Sequence, residues 1–228
     1  MTDENERERD LSGGVSVRGV SRLILASQSP RRRALLTGLG VLFDADAADV
    51  DETPLPGERP DALACRLCRA KAAAVAVRHP GATILAADTM VALDDMLLGK
   101  PADEFEAAAM LRLLRGRTHQ VYTAVCVAHD GSLASRLSIS DVTMRPYSDA
   151  EIAAYVATGD PLDKAGAYAI QHPIFAPVAA WTGCYAGIMG LPLRMVAEML
   201  AAAGIAAPAD VPQVCENLSG GSCCARAS

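Results

Sequence analysis

The sequence predicts an α/β domain with a mixed twisted sheet, and three observations carry this prediction. Helical and strand-like patterns alternate through the first half of the chain. Two long β-rich runs in the second half are joined by Asp130-Gly131, a dipeptide that favours a hairpin turn. The chain has 228 residues, of which 51% are hydrophobic, so it can bury a substantial core. We expect one domain divided into two lobes.

The first half predicts strands separated by helices. Pro30 suits the first turn of a helix, where its missing N–H costs nothing, and Pro80-Gly81 stops a later one. The next apolar run ends at an acid, Asp88. The expected order is a strand over 22–27, a helix from Pro30 to Gly40, a helix within 59–81, a strand over 82–88 and a small hairpin over 90–101.

The second half predicts a hairpin between helices. Ser148 and Glu151 have the spacing of a capping box, which opens a helix that runs to about Ala157. Pro192 near the start and Gly204 just past the end are typical of a terminal helix. A further helix is expected over 104–114 and the long hairpin over 119–146.

The ends of the chain are expected to lie outside the domain. Residues 1–20 lack apolar periodicity and predict a disordered extension. Residues 208–228 end in a Gly/Ser-rich stretch and predict a disordered tail. The folded domain is therefore expected over residues 21–207.

Composition excludes several classes of function. A net charge of −6 argues against a nucleic-acid partner, because such proteins carry a basic face. Charges interrupt every apolar run before the roughly 20 residues that a membrane span needs, so no membrane association is expected. The start of the chain is acidic and polar, unlike a secretory signal, and seven cysteines are an odd number that suits a reducing compartment. These features predict a cytoplasmic protein.

The stretch "SQSPRRR" is the first candidate for a binding site. Free backbone N–H groups at the start of the predicted helix favour an anion, whereas Arg31, Arg32 and Arg33 are unfavourable beside the helix dipole unless an anion binds there. The alternative is an ordinary solvated first turn.

Other charged residues lie in apolar surroundings. Asp88 closes a strand and either faces a crevice or caps the strand. Lys71 and Lys100 either bind an anion or extend to solvent. Residues 49–52, "DVDE", suit a divalent cation shared with phosphate, or form a solvated acidic loop. His119 is more typical of a hydrogen-bonded structural histidine. Taken together, the cations and isolated carboxylates indicate a metal-assisted site for polyphosphate.

The chain resembles the Maf family of nucleoside triphosphate pyrophosphatases. The resemblance is carried, in order, by "LILASQSPRRRALLTGLG", "DVDETP", "AADTMVALDDMLLGKP", "GRTHQVYTAV", "YVATGDPLDKAGAYAIQ" and "GLPL". It implies an elongated two-lobed fold of the inosine triphosphatase type, with the site in the cleft between the lobes. It also implies hydrolysis of a nucleoside triphosphate to the monophosphate and pyrophosphate with Mg²⁺ or Mn²⁺, and it is compatible with a homodimer and with removal of non-standard nucleotides.

The resemblance also assigns roles to residues of this sequence. Asp88 is the implied proton acceptor and Lys100 a second catalytic residue; Glu52 and Asp88 are implied to hold the metal. The implied substrate-binding residues are Ser27, Arg31, Arg32, Lys71, Thr89 and Gln171.

Three of these positions are linked in the family to the choice of base. Arg31, Thr89 and Gln171 resemble the subgroup that acts on dTTP and UTP, and a Gln amide can match the carbonyl and N–H on the edge of thymine or uracil. His172-Pro173 departs from the family pattern beside Gln171. Two alternatives stay open: a pyrophosphatase for methylated GTP, and a nucleotide-binding regulator of cell division with incidental catalysis.

Overall fold

A single mixed sheet organises the molecule, whose computed structural model describes residues 22–94 and 96–221. Seven strands lie in the order β2-β1-β3-β5-β6-β7, with β4 paired to β3. The strands are β1 (Leu23–Leu25), β2 (Asp44–Ala45), β3 (Thr83–Leu93), β4 (Met96–Leu98), β5 (Thr118–His129), β6 (Ser132–Met144) and β7 (Val178–Trp181). The helices are α1 (Pro30–Gly38), α2 (Pro60–Arg78), α3 (Glu104–Leu114), α4 (Asp149–Val156), α5 (Tyr185–Ile188), α6 (Leu193–Ala202) and α7 (Val211–Ser219).

The strand directions follow from the connections. β1 is parallel to β2 and β3, and α1 and α2 supply the crossovers that parallel neighbours require. From β3 through β5 and β6 to β7, each strand is antiparallel to its neighbour, and β5 and β6 are joined by the Asp130-Gly131 turn. The α/β class and the mixed sheet are thus confirmed. No helix among the described residues is long and apolar enough to cross a membrane.

The prediction that a strand ends at Asp88 is wrong. β3 continues to Leu93, because Thr89 and Met90 pair in register with Thr123 and Tyr122 of β5. Asp88 and Thr89 therefore lie in mid-strand, where their side chains point to opposite faces of the sheet.

Three clusters of buried side chains pack on the sheet. The first cluster contains residues of α1, α6 and α7, and the second contains residues of α2. Successive residues of β3 point alternately into the two clusters: Leu85 and Ala87 belong to the first, and Ile84 and Ala86 to the second. A third cluster joins α3 and α4 to the far part of β3, including Val91. Thr89 lies between Ala87 and Val91, at the boundary between two clusters.

The predicted disordered tail is also wrong over residues 211–219, which form α7. Asp210 caps this helix, Gly220 ends it with φ 66°, and Cys215 is buried. Val214 and Leu218 pack on the cluster that contains α1 and α6. The helix forms because its apolar residues share one face and that face has a core to cover. The predicted extension over 1–20, and residues 222–228, lie outside the described residues.

Candidate active site

One cleft brings together all nine residues that the sequence assigns to the site. It has a volume of about 1170 Å³ and is lined by the end of β1, the start of α1, the loop before α2, the middle of β3 and the segment 163–171. The nine residues are Ser27, Arg31, Arg32, Glu52, Lys71, Asp88, Thr89, Lys100 and Gln171. Their individual roles stay predictions.

Arg32 extends across the floor of the cleft. Its guanidinium donates to Gly190 O at 3.0 Å, to Thr89 Oγ1 at 3.1 Å and to Ser27 Oγ at 3.4 Å. The Thr123 hydroxyl donates its hydrogen to Gly187 O, so in the contact between the two threonines the Thr89 hydroxyl is the donor. The Thr89 oxygen can therefore accept the hydrogen bond from Arg32. Burial lowers the pKa of Arg32 and the Asp88 carboxylate opposes this. Because the ordinary pKa of arginine lies far above neutral pH, Arg32 remains charged there.

The three consecutive arginines diverge at the start of α1. Ser29 caps the helix by accepting the backbone N–H of Arg32. Arg31 reaches the opposite wall and pairs with Asp163 at 3.3 Å, whereas Arg33 is exposed. Two of the three arginines therefore face the cleft, and the third is an ordinary solvated residue.

Asp88, Lys71 and Glu52 form an ion cluster on the other side. Asp88 shares the face of β3 that α2 covers, so the ammonium of Lys71 on α2 contacts Asp88 Oδ1 and lies 2.7 Å from Glu52 Oε1. The side chains of Lys71 and Asp88 are 11% and 6% exposed, against 58% for Glu52. Asp88 Oδ2 is buried and has no hydrogen-bond partner among the described residues.

The two carboxylates differ in basicity. Burial raises the pKa of Asp88 above its ordinary value, although the charge of Lys71 opposes this. Burial acts on Glu52 in the same direction, but there the hydrogen bond and charge of Lys71 prevail and lower its pKa. Asp88 is therefore the better proton acceptor of the pair.

Lys100 and Gln171 lie at the rim of the cleft. Both side chains are exposed, and neither forms a hydrogen bond or ion pair with the part of the chain that the structure describes. They are thus available to a ligand.

The carboxylates suit a cation shared with substrate, but no closed metal cage is formed. Within the described ranges no three His, Cys, Asp or Glu side chains are arranged to hold a metal, so residues 49–52 do not make a three-carboxylate site. Asp51 instead accepts the backbone N–H of Thr53 at 2.9 Å. Mg²⁺ is commonly held by one or two carboxylates plus phosphate oxygens and water, and Glu52 with the unpartnered Asp88 Oδ2 fits that description.

His119 is confirmed as a structural residue. It is 2% exposed, its Nε2 lies 2.8 Å from the Tyr168 hydroxyl, and burial lowers its pKa to about 4. It is neutral at physiological pH and does not line the cleft.

Asp163 and Lys164, which are not among the nine predicted site residues, also line the cleft. Lys164 is buried and its ammonium donates to Asp163 Oδ1 at 2.6 Å and to Asp160 Oδ1 at 2.9 Å. The spacing of Asp160 and Lys164 is a familiar i,i+4 pair and could have identified it. Its link to Arg31 through Asp163 could not be found that way, because it joins residues 132 positions apart.

The chain is similar to known proteins over most of its length. Residues 22–203 match the sequence profile of the Maf-like protein family. A protein from Thermomicrobium roseum named "dTTP/UTP pyrophosphatase" is 48% identical over 85% of this chain and 91% of its own length. One of the same name from Myxococcus xanthus is 51% identical over 82% and 94%. Among solved structures, a HAM1 protein from Coxiella burnetii is similar at 16% identity and TM-score 0.40, over 56% of this chain and 75% of that one. The extent of the profile match and of these identities shows that the chain belongs to the Maf-like protein family.

Proposed function

We propose that this protein hydrolyses nucleoside triphosphates, with dTTP and UTP preferred, to the monophosphate and pyrophosphate. The observation that carries the proposal is the buried Asp88, whose Oδ2 has no partner among the described residues and lies in a cleft lined by four of the predicted cationic residues. The relatives named "dTTP/UTP pyrophosphatase" support the choice of reaction and of substrate.

Asp88 accepts a proton from the attacking water. Lys71 occupies Oδ1 and leaves Oδ2 without a partner among the described residues, so in the proposal Oδ2 accepts the hydrogen bond of a water bound beside Asp88. Burial raises the pKa of Asp88 and makes it a stronger base than a solvated carboxylate, while the charges of Lys71 and Arg32 favour its ionised form. The water, made more nucleophilic, attacks the α-phosphorus, and pyrophosphate leaves.

The cations bind and orient the phosphates. Arg31 and Arg32 approach from α1, Lys71 from α2 and Lys100 from the end of β4, so positive charge surrounds the cleft on three sides. Charge that builds on the leaving pyrophosphate is stabilised by these fixed groups. Ser27 contributes its hydroxyl on the floor beside Arg32.

A divalent cation completes this arrangement in the proposal. Glu52 and Asp88 would hold Mg²⁺ or Mn²⁺ together with phosphate oxygens. When bound, the ion neutralises phosphate charge and makes a water easier to deprotonate.

Gln171 reads the base. Its side chain is exposed at the cleft, forms no hydrogen bond with the described residues, and offers both a donor and an acceptor. Thymine and uracil present the complementary carbonyl and N–H side by side. The cytoplasm, the homodimer and the removal of non-standard nucleotides stay predictions that accompany this proposal.

Product analysis tests the proposal. Purified protein is incubated with a panel of nucleoside triphosphates, including methylated GTP, with Mg²⁺, with Mn²⁺ and with EDTA, and products are separated by chromatography. We expect monophosphate and pyrophosphate, fastest from dTTP and UTP and absent with EDTA. Release of diphosphate and orthophosphate would show that a different phosphate bond is cleaved and would contradict the proposed reaction. A lead for methylated GTP would support the first alternative, and binding without turnover would support the regulator.

A further inference from the structure

A chain of hydrogen bonds and ion pairs crosses the cleft wall that carries Gln171. Its first part runs from Arg31 on α1 to Asp163 at 3.3 Å, from Asp163 to Lys164 at 2.6 Å and from Lys164 to Asp160 at 2.9 Å. Lys164 is 7% exposed, so its ammonium is shielded from solvent although Asp163, which links it to Arg31, is exposed.

The second part of the chain ends on backbone. The Tyr155 hydroxyl donates to Asp160 Oδ2 at 2.7 Å and accepts the backbone N–H of Ala169 at 3.1 Å. Asp160 is therefore shared by Lys164 and Tyr155 through its two oxygens. Tyr155 is 2% exposed and does not line the cleft.

Tyr155 holds the turn that presents Gln171 at two points. The turn is closed by a hydrogen bond from His172 N to Ala169 O at 3.1 Å. The Tyr155 hydroxyl binds Ala169 on one side of Gln171, and the Tyr155 ring packs edge-on against His172 on the other, with centroids 4.7 Å apart. His172 is further fixed because its Nδ1 accepts the N–H of Phe175. His172 thus contributes to holding the turn.

We propose that Tyr155 is a positioning residue, which with Asp160, Lys164 and Asp163 holds the base-reading turn 169–172 at a fixed place relative to Arg31. The nucleotide then contacts both ends of this series of contacts: its phosphates contact Arg31, and its base contacts Gln171 in the turn that Tyr155 holds. Selectivity for thymine and uracil then depends on a tyrosine that does not contact the nucleotide. This inference rests on the proposed function, because it assumes that Gln171 reads the base.

A pair of tyrosines allows a matched test. Tyr155→Phe removes the hydroxyl and keeps the ring that stacks on Phe175 at 4.4 Å. Tyr147→Phe is the control: Tyr147 is 1% exposed, packs on the same Phe175 at 4.9 Å and donates to Leu111 O, outside the chain of contacts. Tyr155→Phe loses two hydrogen bonds and Tyr147→Phe loses one, so a general loss of stability is expected in both variants.

The assay compares dTTP with dCTP, because cytosine replaces the carbonyl and N–H of thymine by an amino group and an acceptor. For Tyr155→Phe we expect the dTTP:dCTP ratio of kcat/KM to fall about 3- to 10-fold, because a looser turn costs dTTP about the net worth of one hydrogen bond to its base. The change should lie in KM for dTTP, with kcat changed less than about 2-fold. Tyr147→Phe should leave the ratio at the wild-type value, and melting temperatures check that both variants are folded.

Further outcomes separate this inference from the proposed function. An unchanged ratio in Tyr155→Phe, or an equal fall in Tyr147→Phe, would overturn the positioning role and leave the pyrophosphatase intact. A wild-type ratio near one would overturn the base reading and, with it, the role of Tyr155. Should the wild type release no pyrophosphate, the Kd ratio for dTTP and dCTP measured in EDTA decides the positioning role by the same criterion.

A double variant tests whether the contacts act as one unit. Asp163→Asn weakens the pairs to both Arg31 and Lys164 without removing the side chain. Because Asp163 and Tyr155 belong to one chain of contacts, the double variant should lose no more of the dTTP:dCTP ratio than the larger single loss. Additive losses would show that the two residues act independently and would contradict the proposal.

Discussion

Lys71 on α2 contacts one oxygen of Asp88 on β3 and leaves the other, Oδ2, without a partner among the described residues. This asymmetry gives the carboxylate a direction. Oδ1 is held by Lys71, whose side chain is 11% exposed, and Oδ2 is left for a water or a metal ion. Burial raises the pKa of the carboxyl group and the charge of Lys71 opposes this, so Asp88 is a basic carboxylate whose ionised form Lys71 favours.

Replacement of Asp88 by asparagine should abolish most turnover and retain nucleotide binding. The amide has the same shape but accepts no proton, and loss of a general base lowers kcat about 10²–10⁴-fold. Steady-state kinetics with dTTP, together with its Kd measured in EDTA, checks this. Asp51→Asn is the matched control, since Asp51 only caps Thr53 and should keep wild-type kcat. Turnover of Asp88→Asn within a few-fold of wild type would place the base elsewhere.

Lys71→Met should move the acid limb of the pH–rate profile to higher pH. The charge of Lys71 lowers the pKa of Asp88, so removing it lets burial raise that pKa further. A nearby opposite charge typically shifts a carboxyl by about 1–3 pH units, which is the expected displacement of the limb in kcat/KM. Lys100→Met is the control: Lys100 makes no hydrogen bond within the described residues, so its loss should lower the rate without moving the limb. If the acid limb lies at the same pH in the wild type, in Lys71→Met and in Lys100→Met, the role given to Lys71 is wrong.

Local signals in the sequence were enough for most of the fold. The capping box of Ser148 and Glu151 and the Asp130-Gly131 turn are present as predicted, because each depends on residues a few positions apart. β3 was predicted too short because Asp88 and Thr89 interrupt its apolar run, and only the pairing with β5 shows that the strand continues. α7 was missed although Val211, Val214, Cys215 and Leu218 follow helical spacing, because the surrounding residues are polar.

The candidate site was predictable as a set of residues and not as a geometry. The order of motifs placed all nine residues in one cleft. The contacts that orient them join distant positions, such as Arg32 to Gly190 and Tyr155 to Ala169, and no periodicity records such contacts. The divergence of Arg31 and Arg32 is a further example, since identical neighbours in sequence find different partners.

Gln171→Glu should weaken the preference for dTTP and UTP. A carboxylate only accepts hydrogen bonds, so it loses the donor that meets the thymine carbonyl and repels it instead. A site that hydrogen-bonds its substrate rejects a mismatched one by up to about 10⁴-fold. Because Gln171 is exposed at the rim, we expect a smaller fall, of about 10- to 100-fold, in kcat/KM for dTTP relative to GTP. Gln213→Glu on the exposed face of α7 adds the same charge away from the cleft and should leave the preference unchanged. Equal preferences in wild type and Gln171→Glu would remove Gln171 from base recognition.

His119 should make the folded protein less stable as pH falls from about 6.5 to about 4. Burial lowers its pKa in the folded chain from 6.5 to about 4, so between these values the unfolded chain binds a proton that the folded chain does not. Stability rises with pH wherever the unfolded state binds more protons, so the full contribution is present above pH 6.5 and is lost on acidification. The difference amounts to about 3 kcal/mol in the free energy of unfolding.

Urea unfolding of wild type and His119→Gln at several pH values isolates this effect. The glutamine amide can still hydrogen-bond the Tyr168 hydroxyl, which lies 2.8 Å from Nε2 in the wild type, but it does not titrate. Carboxylates that titrate in the same range are common to both proteins, so their contribution cancels in the difference. We expect wild type to be the more stable protein at pH 7.5 and the gap between the two to shrink steadily toward pH 4. A gap that stays constant over this range would mean that His119 is protonated in the folded protein, and the neutral, structural role assigned to it would be wrong.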